Sequence, residues 1–173
     1  MSTKFDTVKN KVVDKAQLLA LIKTWKANNQ SIVFTNGVFD LLHRGHIEYL
    51  AQTADFGNQL IVAVNADASV KRLGKGVSRP LQDEASRGLI IAAMEFVDAV
   101  IIFDADTPLE MITEIKPDVL IKGGDYDETC TDALDGRYIV GSDVVKQNGG
   151  AVNVIQFVAG YSTTKIEEKI KNC

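Results

Sequence analysis

Short runs of apolar, β-branched residues recur along the chain at 31–35, 59–64, 99–103, 119–121 and 152–156, and segments with helical spacing fill the gaps between them. Within these runs apolar residues stand side by side instead of alternating with polar ones, as in Leu60-Ile61-Val62-Ala63-Val64. Strands of that kind are buried on both faces, the condition of a parallel sheet covered by helices. The expected fold is therefore α/β, a five-stranded parallel sheet with helices on both faces. The spacing predicts an opening helix over 14–27, with Leu18, Leu19, Ile22 and Trp25 on one face, and further helices near 44–55, 83–96, 107–115, 139–147 and 162–171. Start signals support two of these. Pro108, after Asp106-Thr107, is expected at a first helical position, and Ser162-Thr163-Thr164 precedes an apolar-periodic tail. No repeat, linker or low-complexity tract breaks the pattern, so one globular domain is expected over 29–173, with 1–28 as an N-terminal helical extension.

Composition narrows what such a domain does. With 173 residues, 46% hydrophobic and 24% charged, and only three prolines, the chain reads as a compact protein without disorder. A net charge of −4 gives no general attraction to nucleic acid or to anionic membranes, so an anion must be held by a local cluster. The two cysteines, Cys130 and Cys173, form no metal spacing, and a reducing, cytoplasmic setting is expected. No stretch approaches the roughly 20 apolar residues of a membrane span, and the first residues lack the apolar core of an export signal. Neither a membrane nor a nucleic acid is an expected partner.

In folds of this kind ligands bind where strand ends and helix N-termini meet. After the first strand come Thr35-Asn36-Gly37-Val38-Phe39-Asp40 and then His43-Arg44-Gly45-His46, which holds both histidines of the chain. Two imidazoles at i and i+3 on the first turn of a helix point the same way beside a positive helix end, which suits a phosphate. Gly37 is expected to take a positive φ and Gly45 to keep the space between the imidazoles empty. After the second strand, Asp67 is followed by Lys71, Arg72, Lys75 and Arg79 among small residues, either a solvated loop or a flap that closes on a polyphosphate. Asp67 is equally readable as a helix N-cap, and Arg87 as a phosphate ligand or as the partner of Asp83 or Glu84. Lys122-Gly123-Gly124-Asp125-Tyr126 follows the fourth strand, and Gly160-Tyr161-Ser162-Thr163-Thr164 follows the fifth as a second anion seat. Neither G-x-G-x-x-G nor G-x-x-x-x-G-K-[ST] occurs. Zinc would require more histidine or cysteine than the chain has.

These motifs resemble those of the nucleotidyltransferases marked by H-x-G-H after the first strand and S-T-T opening the last helix. Phe34 to His46, Val64-Asn65-Ala66-Asp67, Arg79-Pro80-Leu81, Lys122 to Tyr126 and Gly160 to Thr164 are most similar to the adenylyltransferase domain of ADP-heptose synthases, over about residues 13–170. The resemblance implies a Rossmann-like, doubly wound sheet of the HxGH type and AMP transfer from ATP to D-glycero-β-D-manno-heptose 1-phosphate. It implies His43, His46 and Lys75 as catalytic residues. Thr35, Asn36, Gly37, Val38, Phe39, Asp67, Arg87, Gly124, Asp125, Gly160, Ser162 and Thr163 are implied to bind the nucleotide, and Lys71, Arg72 and Arg79 the substrate phosphates. Mg²⁺ is expected to arrive with ATP and no metal ligand is assigned. A homodimer and a separate heptose kinase supplying the acceptor are also implied. Glycerol-phosphate cytidylyltransferases share the two motifs but usually carry an arginine where this chain has Phe157, which favours ATP over CTP. The segment 127–142 looks longer than in most heptose enzymes, bearing on the acceptor pocket. The remaining alternatives are a cytidylyltransferase for glycerol 3-phosphate and a non-catalytic nucleotide-binding module.

Overall fold

The computed structural model describes residues 2–74 and 79–172. Five strands, β1 (Ile32–Gly37), β2 (Gln59–Asn65), β3 (Ala99–Phe103), β4 (Val119–Gly123) and β5 (Ala151–Ile155), form one sheet in the order β3-β2-β1-β4-β5. Every pairing is parallel, so every connection crosses over a face. Successive residues of one strand serve opposite cores. Ile61 and Ala63 pack with Leu18 and Ile22 of α2 (Lys15–Ala27), Ile112 and Ile115 of α6 (Leu109–Ile115) and Val145 of α7 (Ser142–Gln147). Leu60, Val62 and Val64 pack with Tyr49 and Leu50 of α3 (Arg44–Ala54) and Ile91 and Ala92 of α5 (Glu84–Ala92). Burial on both faces is why these strands are apolar without alternation. The fold is the Rossmann-like α/β architecture expected of the sequence.

The first 28 residues are tied into this unit. Val13 donates its amide to the Val100 carbonyl at 2.9 Å, Val100 donates to Lys11 at 2.8 Å, and α2 supplies Leu18 to the core. Two short helices have no counterpart among the elements expected from spacing. Helix α1 (Lys4–Lys9) buries no residue and rests on a Thr3–Asp6 capping box, so no apolar period announces it. Helix α4 (Asp67–Arg72) occupies the start of the expected flap. Its N-cap is Ala66, not Asp67, and a distant carboxylate does the capping: Glu84 accepts the Asp67 amide at 2.7 Å. Three expected helix starts also move inward. Pro108 stands at the N-cap of α6, α7 begins only after Gly141 at φ 84°, and α5 starts after Asp83, which caps the Ser86 amide. The last helix, α8 (Thr163–Lys171), follows its Ser162 cap as expected.

The strand order reverses between β1 and β4, which places a crevice over the carboxyl ends of those two central strands. Among the described residues no helix is long and apolar enough to cross a membrane.

Candidate active site

A cleft of about 780 Å³ opens over that point, lined from β1 by Asn36 and Gly37, from the turn after it by Val38 and Phe39, from α3 by His46, and from α8 by Thr163 and Thr164. Its base is fixed by hydrogen bonds between elements. The Thr35 hydroxyl and the Tyr49 phenol lie 2.7 Å apart, and Tyr49 also donates to the Ile121 carbonyl at 3.3 Å, joining α3 to β1 and β4. Burial pushes the Tyr49 phenol up to about 12, so it remains a proton donor at neutral pH. Thr35 thus lies beneath the cleft.

The turn out of β1 differs from expectation in one backbone detail. Gly37 is not among the residues with positive φ; Phe39, at φ 50°, carries the left-handed turn. What demands a glycine at 37 is proximity, since a Cβ there would sit 3.0 Å from the Phe39 ring. That ring meets His46 edge-on, with centroids 5.5 Å apart. His43 occupies the N-cap of α3 and His46 its first turn, and the imidazoles stack at 3.8 Å with 19° between their planes. Gly45 permits the stack, because a Cβ would lie 3.1 Å from His43 Nδ1 and 3.3 Å from Tyr161.

Both Nδ1 atoms are buried without a hydrogen-bond partner. Buried polar atoms are seldom left so, and each costs about 1–3 kcal/mol, a cost that a ligand can relieve. Burial lowers the His43 pKa. It lowers that of His46 further, to about 4, with the adjoining His43 adding to the effect and the Leu41 carbonyl opposing it. At pH 7 the pair is neutral, so each ring offers one N–H and one lone pair. A stability consequence follows. An unfolded histidine takes up a proton near its ordinary 6.5 whereas folded His46 resists until about 4, so stability is complete above 6.5 and falls as pH drops through that interval. Denaturant midpoints between pH 7 and pH 4 should fall less steeply for His46→Asn than for the wild type; parallel curves would show that His46 is not held neutral.

Around the pair stand two buttresses. Asp40, 2% exposed, accepts the amides of Leu81 (2.8 Å) and Gln82 (3.0 Å), and its carbonyl accepts from Gln82 Nε2 at 2.7 Å. Arg79 lines the cleft while held between Asp40 (3.4 Å) and Glu167 of α8 (2.5 Å). Thr163 Oγ1 donates to the Leu41 carbonyl at 3.4 Å, and Ser162 caps α8 by accepting the Lys165 amide at 3.1 Å. The loop carrying the histidines and the N-terminus of α8 are thereby locked together.

Other expected site residues stand elsewhere. Arg87 is buried, and its Nε, Nη1 and Nη2 donate to the carbonyls of Gln82 (3.0 Å) and Val38 (2.7 Å) and to Asp67 Oδ1 (2.7 Å). Its partner is neither Asp83 nor Glu84, and through these three bonds it holds the Val38 turn. Asp67 is likewise committed to Arg87. Arg72 is paired with Asp104 and with Asp106, which lines the cleft, and Lys71 stands exposed on α4. Gly124 lies behind the Phe157 ring, while Asp125 and Gly160 are exposed. Lys75 lies outside the described residues. Tyr126 and Phe157 line the cleft, and Lys122, Thr107 and Tyr138 line it without having been assigned a role there. Tyr138 and Val140 bring the long 127–142 segment into the wall, a contribution visible in the sequence only as extra length.

A cytidylyltransferase-like family model matches residues 34–169. The bifunctional protein HldE of Koribacter versatilis (strain Ellin345) is 50% identical over 159 residues, covering 92% of this chain and 31% of that protein. The chain spans about a third of the length of the curated relatives it matches. Among solved structures, a lipopolysaccharide core biosynthesis protein from Thermoplasma volcanium GSS1 is 28% identical with a TM-score of 0.56, covering 75% of this chain and 97% of that one. A pantoate-beta-alanine ligase from Francisella tularensis, complexed with beta-gamma ATP and beta-alanine, shares the fold at 14% identity and a TM-score of 0.58, covering 92% and 76%.

Proposed function

Since this chain belongs to the cytidylyltransferase-like family of nucleotidyltransferases, we propose that it transfers AMP from ATP to D-glycero-β-D-manno-heptose 1-phosphate, giving ADP-heptose and pyrophosphate. The observation that carries the reading is the stacked, neutral His43–His46 pair, with buried unpartnered nitrogens, beside a cleft that the N-terminus of α8 also faces. In this reading the acceptor phosphate is already ionised and needs no general base. One of its oxygens forms a bond to the α-phosphorus as the bond to the β-bridging oxygen breaks, and the electron pair leaves with pyrophosphate. The protein's work is placement and charge stabilisation. His43 and His46 donate to oxygens on the α-phosphate, and Thr163 with the free amides of α8 holds the departing pyrophosphate. Lys75 and Arg79 complete the phosphate cradle, the latter by exchanging Glu167 for a phosphate.

A heptose acceptor is supported by the motif resemblance, and a surface-glycan precursor by the Thermoplasma neighbour. For adenine the support is Phe157, whose ring lies against Gly123 and Gly124 and edge-on to Tyr49, an apolar wall where a cytidylyl enzyme would place an arginine. Among the described residues no group of three or more His, Cys, Asp or Glu is arranged to hold a metal; of the carboxylates lining the cleft, Asp40 is taken by two amides and Arg79, and Asp106 is paired with Arg72. In this reading Mg²⁺ would enter with ATP, held mainly by phosphate and water oxygens.

Pyrophosphate release with ATP, CTP, GTP and UTP, each against heptose 1-phosphate and glycerol 3-phosphate, tests the assignment. The expected result is release with ATP and the heptose. Release with CTP and glycerol 3-phosphate would replace both substrates, and silence in every pair would leave a nucleotide-binding module.

A further inference from the structure

Lys122 is the penultimate residue of β4, at the point where the strand order reverses, and the β1–β4 register, with Phe34 opposite Leu120, brings it level with Asn36. Its Nζ donates to Asn36 Oδ1 at 2.5 Å and lies 5.6 Å from the centre of the Tyr126 ring. All three residues line the cleft. The ammonium therefore touches two different neighbourhoods. Asn36 belongs to the turn that leads to His43 and His46, where a transferring phosphate is placed. Tyr126 follows β4 and brings a hydroxyl to the cleft lining, a group that suits a polyol.

Nucleotidyl transfer to a phosphate has an electrostatic difficulty of its own. Two anions must approach until an oxygen of one lies about 3–3.5 Å from the phosphorus of the other. A cation fixed between them removes much of that repulsion, and the cleft excludes part of the water that would screen it. From the placement of Lys122 we infer that it seats the phosphate of the acceptor, holding it against the α-phosphate, with Asn36 as the positioning residue that aims the ammonium. This assignment rests on the nucleotidyl-transfer reading and specifies which substrate the lysine serves. The step needs no proton and no redox partner: the ammonium stays charged throughout while the acceptor oxygen bonds to phosphorus and pyrophosphate departs. It also gives Lys122 a duty separate from that of Arg79, which is tied to α8, whereas Lys122 is tied to β1.

The test is a comparison of wild type, Lys122→Met and Lys122→Arg. In steady-state assays with ATP and the phosphate acceptor, Lys122→Met should raise the acceptor KM by about tenfold or more, as expected for a lost charge-assisted hydrogen bond. The ATP KM should show no comparable rise, the Tm should stay at the wild-type value, and Lys122→Arg should recover most of the acceptor affinity. An unchanged acceptor KM, or an ATP KM that rises as far, overturns the assignment. In parallel, inorganic phosphate is titrated calorimetrically into each protein saturated with a non-hydrolysable ATP analogue, which fills the triphosphate seat. Wild type should bind phosphate and Lys122→Met should bind it about tenfold more weakly; equal binding, or none by the wild type, overturns the inference. This second measurement needs no turnover, so it decides the role of Lys122 even where every nucleotide and acceptor pair proves silent.

Discussion

Replacing His46 by alanine should lower turnover at saturating substrates by about 10²–10³-fold, the loss seen when one donor to a developing oxyanion is removed, equivalent to about 3–4 kcal/mol of transition-state stabilisation. The fold should survive the change. The His46 amide, bonded to the His43 carbonyl at 2.9 Å, is retained, so the first turn of α3 keeps its backbone. What the fold loses is an edge contact with Phe39, a stack with His43 and the contact with the Leu41 carbonyl, interactions worth about 1 kcal/mol each. Against that, alanine removes a buried nitrogen that has no partner. A large activity loss with a small stability change is the signature of a side chain held for its chemistry. Pyrophosphate release and urea denaturation of the same preparation check both halves, and wild-type turnover in the variant would remove His46 from the mechanism.

The histidine pair was legible in the sequence because its meaning is local. An N-cap position, a first turn and a glycine between them are set by four consecutive residues, and the preceding apolar run marks a strand end. The strands were legible for the same reason, since burial on both faces leaves a signature in a few residues. Long-range pairings leave none. Asp67 and Arg87 are 20 positions apart, and Arg79 and Glu167 are 88 apart, so nothing in the local spacing says that these cations are matched by carboxylates. The sequence therefore left each open between a phosphate ligand and a residue with another role, and the ion pairs come from the fold. Lys122 shows the converse. It sits in a strand-end motif where glycines and an aspartate draw the eye, and only the sheet register sets it beside Asn36 in the cleft.

Arg87→Met should destabilise the protein by about 3–5 kcal/mol, the range found when one member of a buried ion pair is removed. The guanidinium is fully enclosed, with its side chain 0% exposed, and bridges three acceptors that come from three segments: Val38 from the turn after β1, Asp67 from α4 and Gln82 from the approach to α5. Methionine matches the stem but leaves two carbonyls without their donor and a carboxylate without its cation. Asp67 is 32% exposed and can be partly rehydrated, which places the expectation toward the lower end. Arg87→Lys should rescue little, because one ammonium cannot reproduce the planar fork that reaches all three acceptors. Asp67→Asn should cost less than either, since the amide still accepts from Nη2. Urea midpoints for the three variants give the order, and a midpoint for Arg87→Met within the error of wild type would mean that water replaces the guanidinium at no cost. The effect extends to the site. Gln82, which Arg87 anchors, donates to the Asp40 carbonyl, and Asp40 in turn holds Arg79, so loosening Arg87 frees both the Val38 turn and the cation beside α8. Turnover by Arg87→Met at temperatures where it remains folded should therefore fall as well, in contrast to a core substitution such as Ile112→Val on the opposite face of the sheet, which should cost about 1 kcal/mol and leave turnover unchanged.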